Sequence, residues 1–465
     1  MEYRYTKRYT TMQIMFMNAA TCIGVGIFLL SVQIHSQFKN NSIGGLVPLA
    51  FLVSSLPAML VSIISAKWSK QWPSIGGDYT YYKQVLPKPV SFLVSWSFLS
   101  AIPFQIQGAA ISALILLSQG FKNIGYYEQS NFIANNIIIL AIVIVMLGFI
   151  VNFFRLEGII TPITFILTCI LVILFLYYVI PLNASNYMDN IYNSGISKEL
   201  HQIPEADIIG FILGCSVLTF SYGGVTFGQH GGEECKDDFS RGIIRAIVIA
   251  LGTCILMYFL ISFFLYRAVP WRYIAAQASI NSELNALNIV ISYVPKKVIT
   301  LMYFLLAIAV IDNIFTLGFR AIRMAVAFSR DGILSHKLAK PIINGPGYMA
   351  CTVYFITIII TIFIHYERLA ILANYSYSLG LIITSLIVFK VKNGVEIFGS
   401  TKKLLLFKFI SIFCMIFYFI NLVGIIAFLP DMTIWWFAFI LLGVIVYYLP
   451  LFTKEKLSCE EFHKL

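Results

Sequence analysis

A chain of 465 residues that is 59% hydrophobic and 11% charged carries less than half the charge of a soluble domain, where about a quarter of residues are charged. These proportions exclude a single water-facing domain, a disordered chain and a secreted disulfide scaffold, while the length suits about a dozen membrane helices of roughly 20 residues each. The formal charge of +11, from 32 Lys and Arg against 21 Asp and Glu, fits either a nucleic acid or a bilayer as the opposing surface.

In chain order, apolar runs occupy about 11–32, 43–66, 89–119, 133–152, 158–181, 207–230, 242–268, 297–327, 348–366, 369–390, 403–429 and 432–452. They predict an all-α integral membrane protein with twelve transmembrane helices. Polar and Gly residues interrupt the first run, and no A-x-A site follows it, so it does not read as a cleaved signal peptide. An even number of spans puts both termini on one side. With that side cytoplasmic, 24 Lys and Arg fall in inside segments and 8 outside, the asymmetry of the positive-inside rule. The surplus charge therefore orients a multi-pass protein of the cell membrane, its bulk partner is the lipid bilayer, and no nucleic-acid partner is expected.

Of the eight cysteines, six lie in apolar runs and two in cytoplasmic segments, with no C-x-x-C pair. They read as small buried hydrophobes, not as metal ligands or disulfides. No Walker A, H-E-x-x-H or G-x-S-x-G motif occurs, and no loop is long enough for a nucleotide-binding domain. Neither a cofactor nor a metal nor catalysis is expected. A secondary transporter, a channel and a small-molecule receptor remain, with an embedded enzyme supported by no catalytic dyad.

Two runs are defective in the same way. The first contains Gly24-Val25-Gly26 near mid-membrane, and the sixth contains Gly223-Gly224, 198 residues after Gly26. Paired glycines permit unwinding, and unwound backbone survives in hydrocarbon only if buried in protein or lining a cavity. Five spans separate the two starts, so the second copy begins on the opposite side. Interrupted helices at matching positions of two inverted halves point to a transporter's binding site. Free N–H groups at such a break attract an anion, and free carbonyls a cation. A zwitterion such as an amino acid suits both. Close helix packing is the competing account of glycine pairs.

These residues resemble motifs of the amino acid/polyamine/organocation permeases. Gly24-Val25-Gly26-Ile27-Phe28 is similar to the family's G-x-G-I-F, Pro73-Ser74-Ile75-Gly76-Gly77-Asp78-Tyr79-Thr80-Tyr81 to its P-x-x-G-G-x-Y-x-Y, and Phe220-Ser221-Tyr222-Gly223-Gly224 to its F-x-Y-x-G. Glu233-Glu234-Cys235-Lys236 with Arg241 and Arg245-Ala246, then Ser329-Arg330-Asp331-Gly332-Ile333-Leu334, resemble two further segments. Ser335, where proline is common, and Gln229-His230 depart from the pattern. The resemblance implies a leucine-transporter-like fold of two inverted five-helix repeats, 11–181 and 207–390, with accessory helices at 403–452 and a cytoplasmic tail at 453–465. It implies an amino acid or related amine as substrate. The carboxylate would rest on N–H groups around Gly24, Val25 and Gly26, beside Ile27. The amine would meet carbonyls near Ala20, Cys22 and Ile23 and near Phe220 and Ser221, ahead of Gly223 and Gly224. Tyr222 would be a wall or gate.

Within the spans, Asp312 is costly unless paired, protonated or facing water. No basic residue stands three or four positions away. It is the candidate site for a coupling proton or Na⁺, against a structural role bonded to a neighbouring helix. Gln105 and Gln107 point about 200° apart on a helix, so one of them is a candidate for the cavity and Gln105 is taken as a gate. Tyr375 and Tyr377, in the cluster Asn374-Tyr375-Ser376-Tyr377, are candidate gates or packing residues. Arg155 with Glu157, and the cluster Glu233, Glu234, Lys236, Arg241 and Arg245, form either ion pairs that open and close or a solvated loop. The segment 271–294 is compatible with an amphipathic outer lid. No acidic residue stands out in the pocket, which favours neutral substrates. The expected function is proton- or cation-coupled amino acid transport by alternating access, with a sensor on the same fold, an exchanger or another solute as alternatives.

Overall fold

The computed structural model describes residues 7–23, 26–37, 41–183, 200, 203–224, 226–236, 239–281, 284–342, 345–364 and 372–452. Helices α1 (Thr11–Cys22) and α2 (Gly26–Gln33) share the first run. They are followed by α3 (Val47–Gln71), α4 (Asp78–Val85), α5 (Lys88–Asn123), α6 (Tyr127–Asn135), α7 (Ile137–Phe153) and α8 (Glu157–Val179). The second half holds α9 (Ile208–Leu218), α10 (Phe239–Ala268), α11 (Trp271–Ile280), α12 (Ala286–Val290), α13 (Lys296–Arg330), α14 (Tyr348–Ile364) and α15 (Leu372–Lys390). Helices α16 (Gly394–Phe398), α17 (Thr401–Phe428) and α18 (Pro430–Phe452) end the described chain. A two-stranded ribbon, Pro341–Ile342 with Gly345–Gly347, joins α13 to α14.

Local sequence explains the helix starts. Thr10 caps α1 in a reciprocal box with Gln13, and the Asp207 side chain accepts from Gly210 N–H at the head of α9. Prolines at the first turns of α3 and α5 cost no hydrogen bond there.

Ten described helical segments are long and apolar enough to cross a membrane, and the pair α6–α7, bent by 82°, makes an eleventh. The ninth expected run appears as the shorter apolar stretch Met349–Phe363. Its end and the start of the tenth, 365–371, lie outside the described residues, as does the tail 453–465. The fourth run bends because Asn135-Asn136 interrupts its apolar pattern, leaving α6 across the end of α7.

The two longest helices, α5 and α13, pack along each other through the middle of the molecule, flanked by α1, α7, α8, α14 and α15. Helices α17 and α18 are the least buried. Their exposed Leu405, Phe409, Phe419 and Leu441 belong against lipid, not water.

Candidate functional site

The two broken runs meet at their breaks. Helix α1 stops at Cys22 and α2 restarts at Gly26, while α9 stops at Leu218 and continues as a 3-10 turn, Thr219–Tyr222, before Gly223-Gly224. A Cβ on Gly224 would fall 2.7 Å from the Thr21 carbonyl carbon and 2.8 Å from Cys22 N. A Cβ on Gly26 would fall 3.2 Å from the Tyr258 hydroxyl and 3.4 Å from Ser221 Oγ. Gly224 is there because backbone lies against backbone, and Gly26 because side chains crowd the break.

Tyrosines from two other helices satisfy the exposed carbonyls. Tyr258 of α10 donates to Cys22 O and Tyr377 of α15 to Tyr222 O, each at 2.7 Å. Gly228 N–H donates to Asn18 Oδ1 at 2.5 Å, tying the lower half of the sixth run to α1. Such bonds are what irregular backbone needs inside a membrane.

A cavity of ≈ 510 Å³ opens onto the breaks. It runs to the face that carries Gln37 and Asn285 and ends at the other side on Phe98 and Arg320. One face of α5 lines it with Gln105, Gly108, Ser112 and Leu116, and α13 contributes Leu306, Asn313, Leu317 and Arg320. Both sets follow helical spacing.

Of the residues singled out in the sequence, Cys22, Gly26, Phe220, Ser221, Gly223, Gly224, Gln105 and Tyr377 line this cavity. Ala20, Ile23 and Ile27 are buried behind it. Tyr222 also turns away, donating to Phe51 O at 3.0 Å and resting on the Tyr258 ring. Tyr375 stacks on Trp436 and donates to Leu429 O at 2.9 Å, which places it between α15, α17 and α18. Gln107 is absent from the lining, as its angle to Gln105 requires. Gly24 and Val25 lie outside the described residues.

Sequence reasoning missed Arg320 and Asn313 as lining residues. The signal for them is a stripe at helical spacing with Leu306 and Leu317 near the end of the eighth run. Several lining atoms are buried with no hydrogen-bond partner among the described residues: Gln105 Oε1, Asn374 Oδ1 and Arg320 Nε.

Below the cavity a stack of buried ion pairs fills the face that carries residues 7–10. In the first layer Arg320 meets Asp78 at 2.7 Å, with the guanidinium 3.8 Å over the Phe98 ring. The Tyr81 hydroxyl donates to the same carboxylate and also reaches Gln229 Oε1 at 2.9 Å. Asp78 lies outside the membrane-spanning helices, and burial pushes its carboxyl up while Arg320 pulls it back. Glycine is required just before it: Gly77 has φ +49°, and a Cβ would strike the His230 ring at 2.5 Å.

In the second layer Arg323 meets Glu234 at 2.6 Å and Glu157 at 3.7 Å, Arg155 meets Glu234 at 3.1 Å, and Tyr9 donates to Glu157 at 2.6 Å. Arg155 adopts φ +58° at the α7–α8 corner, which turns it into this cluster. A third, half-exposed layer pairs Arg330 with Glu233 at 2.9 Å and Lys83 with Asp331 at 2.8 Å. Glu157, Glu234 and Arg155 are therefore buried partners, not members of a solvated loop.

Asp312 sits outside the cavity, between α13 and α8, 2% exposed. Thr161 Oγ1 donates to its Oδ1 at 3.2 Å, and no ion pair reaches it among the described residues. Its neighbour Asn313 faces the cavity.

No curated protein matches the chain. A model of the family described as amino acid permease matches residues 9–449, nearly its whole length. With that match, the paired helix breaks and the many apolar helices, the chain belongs to the amino acid permease family, as a multi-pass membrane protein of the amino acid/polyamine/organocation group.

Proposed function

We propose that the protein transports amino acids or close amine relatives by alternating access, and that this conformation is open to the face of Gln37 and closed toward the face of residues 7–10. The observation that carries the reading is the cavity ending where the two broken helices touch. Two inverted repeats, 11–181 and 207–390, would rock about that point. The Lys- and Arg-rich face is cytoplasmic on this reading, and the membrane is the cell membrane.

The substrate carboxylate takes N–H groups around Gly24, Val25 and Gly26, because the first N–H groups of a helix have no partner within it. Ser221 Oγ, buried at the break, serves the ammonium group. Cys22 O and Tyr222 O already accept tyrosine protons, so the amine has only their second lone pairs.

Asp312 carries the coupling proton or Na⁺. Its burial beside a hydroxyl, with no cation paired to it among the described residues, makes an intramembrane carboxyl that exchanges charge during the cycle. Helix α8 supplies no Lys, Arg or His to replace it.

Reconstitution into proteoliposomes tests the reading. Under an imposed pH or Na⁺ gradient, labelled neutral amino acid is expected to accumulate above the level set by equilibration. Saturable binding without accumulation would identify a sensor instead and overturn the transport reading.

A further inference from the structure

The cavity wall holds polar atoms that binding of an α-amino acid backbone does not use. Gln105 of α5 and Asn374 of α15 each have a buried carbonyl oxygen with no hydrogen-bond partner among the described residues. Asn374 is 6% exposed. Their helices are packed together, Ser376 Oγ donating to Ser97 O at 2.8 Å. An unpaired buried polar atom costs about what a hydrogen bond contributes, so each such atom in a native protein calls for a reason. A primary amide offers one acceptor and two donors. Both unpaired atoms are oxygens, so the group that completes them is one that donates twice, as the N–H₂ of an uncharged carboxamide does.

Charge narrows the class further. Among the described lining residues Arg320 is the ionic one, and its partner Asp78 lies beneath the floor. A cationic side chain entering the cavity meets Arg320 with no acidic wall to offset it. An anionic side chain competes with Asp78 for the same guanidinium. An uncharged polar side chain disturbs neither.

We propose that the site selects amino acids with a carboxamide side chain, held between Gln105 and Asn374, and that Arg320 turns away cationic ones. The inference rests on the transport reading and adds the substrate class.

The test uses the full-length protein in proteoliposomes, with initial uptake of glutamine, asparagine, alanine, lysine and glutamate. Glutamine and asparagine are expected to exceed alanine in kcat/KM by about tenfold, the worth of a hydrogen bond to a desolvated partner, with lysine and glutamate lowest. Gln105→Leu and Asn374→Leu are each expected to lower the glutamine-to-alanine ratio by about tenfold. A ratio does not depend on how much protein folds. The nearly isosteric Gln105→Glu is expected to raise lysine relative to glutamine. Equal use of glutamine and alanine by the wild type, an unchanged ratio in both leucine variants, or a preference for lysine or glutamate overturns the proposal. If alanine accumulates without amide preference, the selectivity inference alone falls. If no amino acid accumulates or raises the melting temperature of the wild type, the transport reading falls with it.

Discussion

A carboxyl group whose near partner is a threonine hydroxyl, as Asp312 has in Thr161, is unstable as an anion in a low-dielectric interior. It needs a proton or a metal cation to stay there. Asp312→Asn supplies a neutral side chain of the same shape, so the fold persists and the charge exchange stops. We expect the variant to equilibrate substrate across vesicles but not to concentrate it. Unchanged accumulation with unchanged pH and Na⁺ dependence would end the coupling role. A second residue reports on the cavity itself. Among the described cysteines, Cys22 is the one that lines it, while Cys215, Cys235, Cys254, Cys351 and Cys414 are buried elsewhere. A membrane-impermeant thiol reagent added on the Gln37 side is expected to block uptake, substrate to slow the block several-fold, and Cys22→Ala to abolish it. Mass spectrometry locates the adduct. Asp312 and Cys22 stand in the sequence as a charge and a thiol in apolar runs, but nothing there says that one faces α8 and the other the cavity.

At the scale of elements, the broken helices were legible and their contact was not. Glycine pairs mark where a helix can unwind, yet the 2.7 Å approach of Gly224 to Thr21 joins residues two hundred positions apart and leaves no local trace. It makes a sharp prediction. Gly224→Ala forces backbone atoms apart and is expected to abolish uptake and lower the melting temperature. Gly252 is the control within α10: a Cβ there meets nothing within 4 Å. Gly252→Ala should therefore leave uptake intact and stabilise the helix by up to about 1 kcal/mol, read as a higher melting temperature. The Gly76-Gly77 loop was legible as a motif, and the structure supplies its cause in the His230 ring packed against a left-handed turn. Tyr222 shows the opposite. Its place in the sixth run suggested the cavity wall, but the 3-10 turn rotates it toward Phe51, a rotation that α-helical spacing does not foresee.

For the whole molecule, composition gave the membrane class, and the basic residues gave an orientation. What composition concealed is that part of the basic excess is internal. Arg320 and Arg323 add to the basic count of the inside face, whereas α13 runs on to Arg330 and buries both, at 3% and 1% exposed. Removing one partner of a buried pair costs about 3–5 kcal/mol. Asp78→Asn is therefore expected to weaken the closed floor, depopulate this conformation and slow Cys22 labelling from the Gln37 side several-fold, with a lower melting temperature. The second layer reaches back to the beginning of the chain. Arg8 and Tyr9 N–H groups donate to Glu234 O at 2.7 and 3.0 Å, Lys236 N–H returns a bond to Tyr9 O at 2.7 Å, and the Tyr9 hydroxyl holds Glu157. That bolt joins residues far apart in the order of synthesis: Tyr9, Glu157, Glu234 and Arg323. Tyr9 can find its seat only after the sixth span has been made, and Arg323 arrives later still. Until then the N-terminal segment waits beside a half-built bundle, so a tag or fusion that shortens its reach acts on biogenesis before it acts on transport.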